Sequence, residues 1–412
     1  MDACRWVTRS VPYAPYVTQL SFISHFGCKY VVHGDDITSD SSGEDCYRFV
    51  KAAGRFKVVK RTPSISTTDL VGRMLLCTRT HFIRSLERTI AGDEGEGTAP
   101  ERRARGDAMA ERMRQYASDE SGKRPGADIW FWSAGDEGGA AEAGSGTAAK
   151  DVAGSFHPFQ KTAGPRPGQR VVYVDGGFDL FSSGHIEFLR RVAEAEEKLA
   201  RDEGWYGQQN VDERRGKGED YGPVFVVAGV HDDQVINRWK GVNYPIMNIY
   251  ERGLCVLQCR VSFPSPFICA HIWPISHLSV SPATNHNSLS FPSPQYINAV
   301  VFGAPFVPTR AYLGALPWGV PDAVYHGPTS FIPLESDPYT APRAMGIFRE
   351  VGRHDYADVN AGTIVQRIMR SRDLYEARQR KKGVKAEVEA AQRQREILEE
   401  EQRAREAKTA SL

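Results

Sequence analysis

Ser182-Ser183-Gly184-His185 follows a glycine pair, Gly176-Gly177, that interrupts an alternating apolar run ending at Val174. The run reads as a buried strand, and Ile186-Glu187-Phe188-Leu189 has the apolar spacing of an amphipathic helix. Strand, glycine turn and helix start, in this order, present backbone N–H groups and a helix dipole to a phosphate. An imidazole at the helix start, His185, can donate to a phosphate oxygen. The plain alternative is a structural turn whose glycines serve sterics alone. A second candidate is Lys240-Gly241, where the glycine lets the ammonium reach a phosphate while the backbone stays clear. A solvated lysine is its default reading. The third is Arg61-Thr62-Pro63-Ser64-Ile65-Ser66-Thr67-Thr68. Helix capping before Asp69 accounts for one hydroxyl. Several hydroxyls beside a guanidinium make a phosphate cradle instead.

The elements that must position these residues recur along the chain. In the N-terminal part, YVTQLSFISHFG reads as a helix stopped at Gly27, and CKYVVHGDD as a strand ending in the polar cluster His33 to Asp36. DCYRFVKAAG is a helix stopped at Gly54, and a short strand follows it before the hydroxyl-rich turn. In the C-terminal part, VFVVAGVHDD and YINAVVFGAP are strands, and DAVYHGPTSFIP puts His326-Gly327-Pro328-Thr329 after a further short strand. That is the place HGDD holds in the first part, so the chain carries an internal repeat and two copies of one fold. Asn360-Ala361-Gly362-Thr363 stands where the second copy needs its hydroxyl run, with no Arg-Thr pair ahead of it.

These motifs resemble the nucleotidyltransferase superfamily, whose signature after the first strand is His-x-Gly-His. GGFDLFSSGHIEFL is similar to the second domain of the ethanolamine-phosphate cytidylyltransferase family, with Ser182 standing in for the first histidine. The Arg61 run is similar to that family's Arg-Thr-x-Gly-Ile-Ser-Thr-Thr, with Ser64 in the glycine position. The resemblance implies an α/β fold of tandem Rossmann-like nucleotidyltransferase domains with parallel sheets, the first one truncated. It implies cytidylyl transfer from CTP to phosphoethanolamine with release of pyrophosphate, in phosphatidylethanolamine synthesis, with Mg²⁺ accompanying CTP. His185 and Lys240 become the expected catalytic residues. Gly177, Phe178, Ser182, Ser183, Gly184, His326, Gly327, Pro328 and Thr329 become nucleotide-binding, as do Arg61, Thr62, Ser66, Thr67 and Thr68; no residue is assigned to a metal. Glu251-Arg252 matches a helix pair of the family and reads as an intramolecular ion pair. Two alternatives stay open: a phosphocholine cytidylyltransferase, and a catalytically inactive nucleotide-binding or regulatory remnant, which Ser182 supports.

Composition sets the frame. The 412 residues suffice for two or three domains. A net charge of +1 with 25% charged residues argues against a nucleic-acid partner or a strongly attracted membrane surface. Seven cysteines without framework spacing read as reduced thiols of a cytoplasmic protein, Cys255 and Cys259 as core thiols. No apolar run reaches the length of a membrane span. The expected organisation is the C-terminal part of a first domain at 1–89 and a disordered linker at 90–168 enclosing the aromatic island ADIWFWS. A second domain at 169–371 and a charged helical tail at 372–412 follow. Residues 261–295 are rich in Ser and Pro, lack charge and read as an insert, favoured as translated intron. The small-molecule partners are CTP and phosphoethanolamine, and the resemblance leaves room for a homodimer.

Overall fold

The computed structural model describes residues 1–35, 38–60, 67–119, 121–135, 154–218, 221–259, 297–327, 337–374 and 377. The insert, the tail beyond 377 and the expected site residues Arg61, Thr62, Ser66, Pro328 and Thr329 lie outside the described residues. The chain forms two compact units, one of residues 9–76 with those from 365 on, the other of residues 1–8 and 77–364.

The first unit contains α1 (Leu20–His25), β1 (Val31–His33), α2 (Arg48–Ala52), β2 (Phe56–Val58) and α3 (Thr67–Leu76). The glycines that the sequence marks as stops, Gly27 and Gly54, both sit just past a helix at positive φ, where only a residue without Cβ is unstrained. β1 and β2 pair in parallel, Val31 opposite Phe56 and His33 opposite Val58.

In the second unit, α4 (Leu86–Ala91) and α5 (Ala99–Tyr116) precede β3 (Asp128–Ala134), β4 (Gly154–Gln160) and β5 (Arg170–Gly176). Then come α6 (Ser183–Asp202), α7 (Gln208–Gly216), β6 (Val224–Val230), α8 (Asp233–Lys240) and α9 (Ile249–Leu257). After residue 297 follow β7 (Ala299–Phe302), α10 (Arg310–Gly314), β8 (Ala323–His326), α11 (Thr340–Ala344), β9 (Phe348–Glu350) and α12 (Ala361–Arg370), which runs on past residue 364. Seven strands form one sheet in the order β4-β3-β7-β6-β5-β8-β9, parallel except for β4. Alternation along the strands serves two faces. Val172 and Val174 of β5 join Val226 and Ala228 of β6 under α6 and α9, while Val171, Tyr173, Phe225 and Val227 pack with Tyr312 and Leu313 of α10. The α/β fold with mainly parallel strands is as expected. The repeat holds in register too: β8 and β9 pair Val324 with Phe348 and end at His326, as β1 and β2 pair Val31 with Phe56 and end at His33.

The domain boundaries need correction. The described residues of 90–168 are not a linker but supply α5 and two strands of the large sheet. Their averaged composition hides the local signals. Thr98 and Glu101 form a capping box, the carboxylate accepting the Thr98 N–H at 2.8 Å. Gly106, Ala110, Met113 and Ala117 then make a buried stripe at helical spacing. A Cβ on Gly106 would lie 2.2 Å from the carbonyl oxygen of Ile90, so α4 and α5 pack backbone to backbone. ADIWFWS is β3, with Ile129, Phe131 and Trp132 buried. Residues 1–8 and 77–89 also belong with the second unit. Arg5 donates to the carbonyl of Tyr116 at 2.7 Å, and Asp233 accepts the Ile83 N–H at 2.9 Å.

Candidate functional site

From β5 the sheet grows through β6 to β7, and the chain then returns to β8 on the other side of β5. Such a reversal opens a crevice at the carboxyl ends of the strands. There a cavity of about 810 Å³ is lined by Gly177, Phe178, Gly184 and His185 after β5, Lys240 of α8, His326 and Gly327 after β8, and residues 357–362 at the start of α12.

The turn after β5 is strained and held. Phe178 and Leu180 have positive φ, a conformation that side chains rarely adopt unless the surroundings enforce it. Asp179 enforces it, its carboxylate accepting N–H bonds from Ile246 and Met247 at 2.9 Å each. Arg252 holds the same turn from below, donating to Gly177 O at 2.6 Å, His231 O at 2.7 Å and Met247 O at 2.9 Å. Its ionic partner is Asp233 at 2.7 Å. Glu251, expected to pair with Arg252, instead caps α9 by accepting the Asn248 N–H at 2.9 Å.

His185 Nδ1 accepts the backbone N–H of Ser182 at 3.1 Å. A backbone N–H only donates, so the ring proton lies on Nε2. Burial, aided by the charge of Lys240, lowers the imidazole pKa to about 4, which keeps the ring neutral. Burial also lowers the Lys240 ammonium, with Arg252 acting in the same sense and Asp179 against it. His326, last residue of β8, is likewise pushed down by burial. Ser183 and Gly184 open α6, and Gly184 and His185 of its first turn line the cavity. A Cβ on Gly184 would meet Val359 O at 2.6 Å and Tyr356 O at 2.8 Å, so the starts of α6 and α12 touch only because this residue is glycine. Ser182, in the place of the signature histidine, donates its hydroxyl to Val359 O at 2.7 Å and ties the same two segments.

Gly177, Phe178, Gly184, His185, Lys240, His326 and Gly327 therefore share one cavity, which Ser182 and Ser183, expected with them, do not line. Thr67 and Thr68 open α3 of the other unit. The sequence reading missed Asp175. It continues the Val171–Tyr173 face of β5, which buries its carboxyl beside tyrosines, a consequence legible from the strand period alone. Oδ1 accepts the Tyr339 hydroxyl at 2.6 Å, while Oδ2 is buried without a partner among the described residues. Burial raises this carboxyl to about 7, against the hydrogen bonds from Tyr339 and Tyr173. The cavity thus joins anion-binding donors to a buried carboxyl whose second oxygen has no hydrogen-bond partner among the described residues.

The Cytidylyltransferase-like family matches residues 1–73. Ethanolamine-phosphate cytidylyltransferase of Mus musculus is 34% identical over 96% of this chain and 78% of its own length. The protein of the same name from Dictyostelium discoideum is 31% identical over 93% of this chain and 79% of its own. The chain belongs to the ethanolamine-phosphate cytidylyltransferase family. Choline-phosphate cytidylyltransferase 2 of Arabidopsis thaliana matches less of it, 31% identical over 29% of this chain. This cytidylyltransferase has its Gly184-His185 pair at a helix start, with Lys240 lining the same cavity. Among its described residues no helix is long and apolar enough to cross a membrane.

Proposed function

We propose that this chain transfers the cytidylyl group of CTP to phosphoethanolamine, giving CDP-ethanolamine and pyrophosphate. A phosphate oxygen of phosphoethanolamine attacks the α-phosphorus of CTP as the bond to the β-phosphate oxygen breaks. The nucleophile is already an anion, so the protein supplies position and charge stabilisation more than proton transfer. Lys240 and the Nε2–H of His185 take the α-phosphate oxygens, and the first turn of α6 adds backbone donors. His326 and Gly327, with Pro328 and Thr329, belong to the nucleotide side, and Arg61, Thr62, Ser66, Thr67 and Thr68 to the nucleotide site of the first repeat. Among the described residues no group of three or more His, Cys, Asp or Glu is placed to hold a metal. Mg²⁺ enters the reading with the triphosphate, as part of the substrate.

The observation that carries the choice of substrate is Asp175. A primary ammonium that reached its buried, unpartnered oxygen could donate a hydrogen bond to it, whereas a trimethylammonium has no N–H to give. The reaction belongs to phosphatidylethanolamine synthesis in the cytoplasm. Pyrophosphate release from CTP, measured with phosphoethanolamine, phosphocholine or glycerol 3-phosphate, tests the reading. Turnover with phosphoethanolamine alone supports it. Binding of CTP with no turnover on any substrate would turn the assignment to a nucleotide-binding remnant, as Ser182 in the signature position suggests.

A further inference from the structure

The second repeat has no Arg-Thr pair before Asn360, which leaves the distal phosphates of a triphosphate without their guanidinium. The structure brings one from elsewhere. Arg353, three residues past β9, lines the same cavity as His185 and Lys240, as does Asp358. Arg353 Nη2 donates to both oxygens of Asp358, at 2.8 and 3.0 Å. The loop between them is closed onto the start of α12: Thr363 Oγ1 donates to Asp358 O at 2.6 Å, and Thr363 N–H donates to Asn360 Oδ1 at 3.1 Å.

Two features make this more than a surface ion pair. The first is charge. The described lining of the cavity carries Lys240 and Arg353 against Asp175, Asp179 and Asp358. With Asp358 in place this lining is net negative whether or not Arg353 pairs with it; with Asp358 turned away, Lys240 and Arg353 balance Asp175 and Asp179. The second is exposure, 75% for Arg353 and 76% for Asp358. A pair so exposed is weakly held, while a guanidinium suits the fork of two phosphate oxygens. We propose that Arg353 is the β,γ-phosphate ligand of the second repeat and that Asp358 competes with the nucleotide for it. This rests on the cytidylyltransferase reading of the cavity. Arg353 would do from a different position in the chain what the signature arginine does in the first repeat, and Asp358 would set how tightly CTP is held.

Calorimetric titration of CTP and of CMP, each with Mg²⁺, into the full chain and its variants tests this. Arg353→Ala should weaken CTP about tenfold, the loss of one charge-assisted contact, and leave CMP, which lacks the distal phosphates, unchanged. Asp358→Asn should act with the opposite sign and tighten CTP. Arg353→Lys should fall between wild type and Arg353→Ala. Both side chains are exposed, and unchanged melting temperatures would show that folding is unaffected. An unaltered CTP-to-CMP affinity ratio in Arg353→Ala overturns the proposal. So does a weakening of CTP by Asp358→Asn, which would make the pair merely structural. A wild-type chain that binds neither nucleotide sinks the cytidylyltransferase reading itself, and this result is distinct from the other two.

Discussion

Arg252 and Asp233 meet at 2.7 Å with both side chains at 0% exposure, and no other ion pair among the described residues is so completely buried. Each partner also serves the backbone: Arg252 takes three carbonyls from three segments, and Asp233 takes the N–H of Ile83. The pair therefore fixes the carboxyl ends of β5 and β6 against one another, and the strained Phe178–Leu180 turn rests on it. Five donors in a planar fork suit this task, and an ammonium cannot reach the same acceptors.

Arg252→Met should lower the unfolding free energy by about 3–5 kcal/mol, because it leaves a buried carboxylate and several carbonyls unpaired. Arg252→Lys should recover only part of that loss. Glu251→Gln, one residue away, should change stability by less than about 1 kcal/mol, since an amide oxygen can still accept the cap bond. Urea midpoints for the three variants decide it. Similar midpoints for Arg252→Met and Glu251→Gln would show that the buried pair does not hold the site.

Gly184→Ala pushes a methyl into the carbonyls of Val359 and Tyr356. We expect a stability loss of about 1–3 kcal/mol, the usual range for forced overpacking. The KM for CTP should rise with it, because the starts of α6 and α12 are driven apart. Ser182→Ala removes the hydroxyl tie to Val359 and the hydroxyl's half of the α6 capping box, and should have the same sign with a smaller effect. Thermal melts and CTP kinetics of both variants check this; an unchanged KM in Gly184→Ala would separate the α12 start from nucleotide binding.

His185 makes two separable contributions. His185→Asn can keep an acceptor for the Ser182 N–H and loses the Nε2 donor. Its kcat should drop by roughly 10²–10³, the scale for removing one transition-state donor. The folded imidazole titrates near 4, below its ordinary value. The unfolded chain therefore binds a proton that the folded one excludes between about pH 4 and 6.5. The stabilisation is present above pH 6.5 and is lost as pH falls toward 4. His185→Asn should flatten that part of the stability curve, and wild-type kcat should show no imidazole limb near pH 6.5. Melting temperature and kcat measured across this range test both statements.

The glycine stops of the first unit, the strand-turn-helix at Val171–Leu189 and the repeated strand-end histidines were legible because each is a local pattern with one steric or periodic cause. The linker reading failed at α5, β3 and β4 because Gly, Ala and charge dominate the average of 90–168. The Thr98–Glu101 cap and the small-residue stripe of α5 occupy only a few positions, and β3 gains its role from β7, which lies far along the chain. The partner of Arg252 was hidden for the same reason. Its neighbour Glu251 looks like the natural counterion, but adjacent helix residues point apart, and Asp233 comes near only when α8 and α9 pack. Arg353 escaped notice because it does not stand where the signature puts an arginine.

Asp175 ties recognition of the amine to pH. Its folded carboxyl, raised to about 7 by burial, is largely protonated in the free protein below that pH. The KM for phosphoethanolamine should accordingly rise as pH falls from 8 to 6, while kcat at saturation changes little. Stability has the opposite trend: the folded chain holds a proton between about pH 4 and 7 that the unfolded chain releases, so this group's contribution weakens as pH rises through that window. Asp175→Asn removes the buried charge and keeps an acceptor for Tyr339. At pH 8 the variant should melt at a higher temperature than wild type and should lose turnover of phosphoethanolamine by at least about tenfold, the scale of a charged hydrogen bond. A variant that is more stable yet uses phosphoethanolamine as well as wild type would show that Asp175 is a buried acid of the fold, and the ammonium must then be sought elsewhere in the cavity.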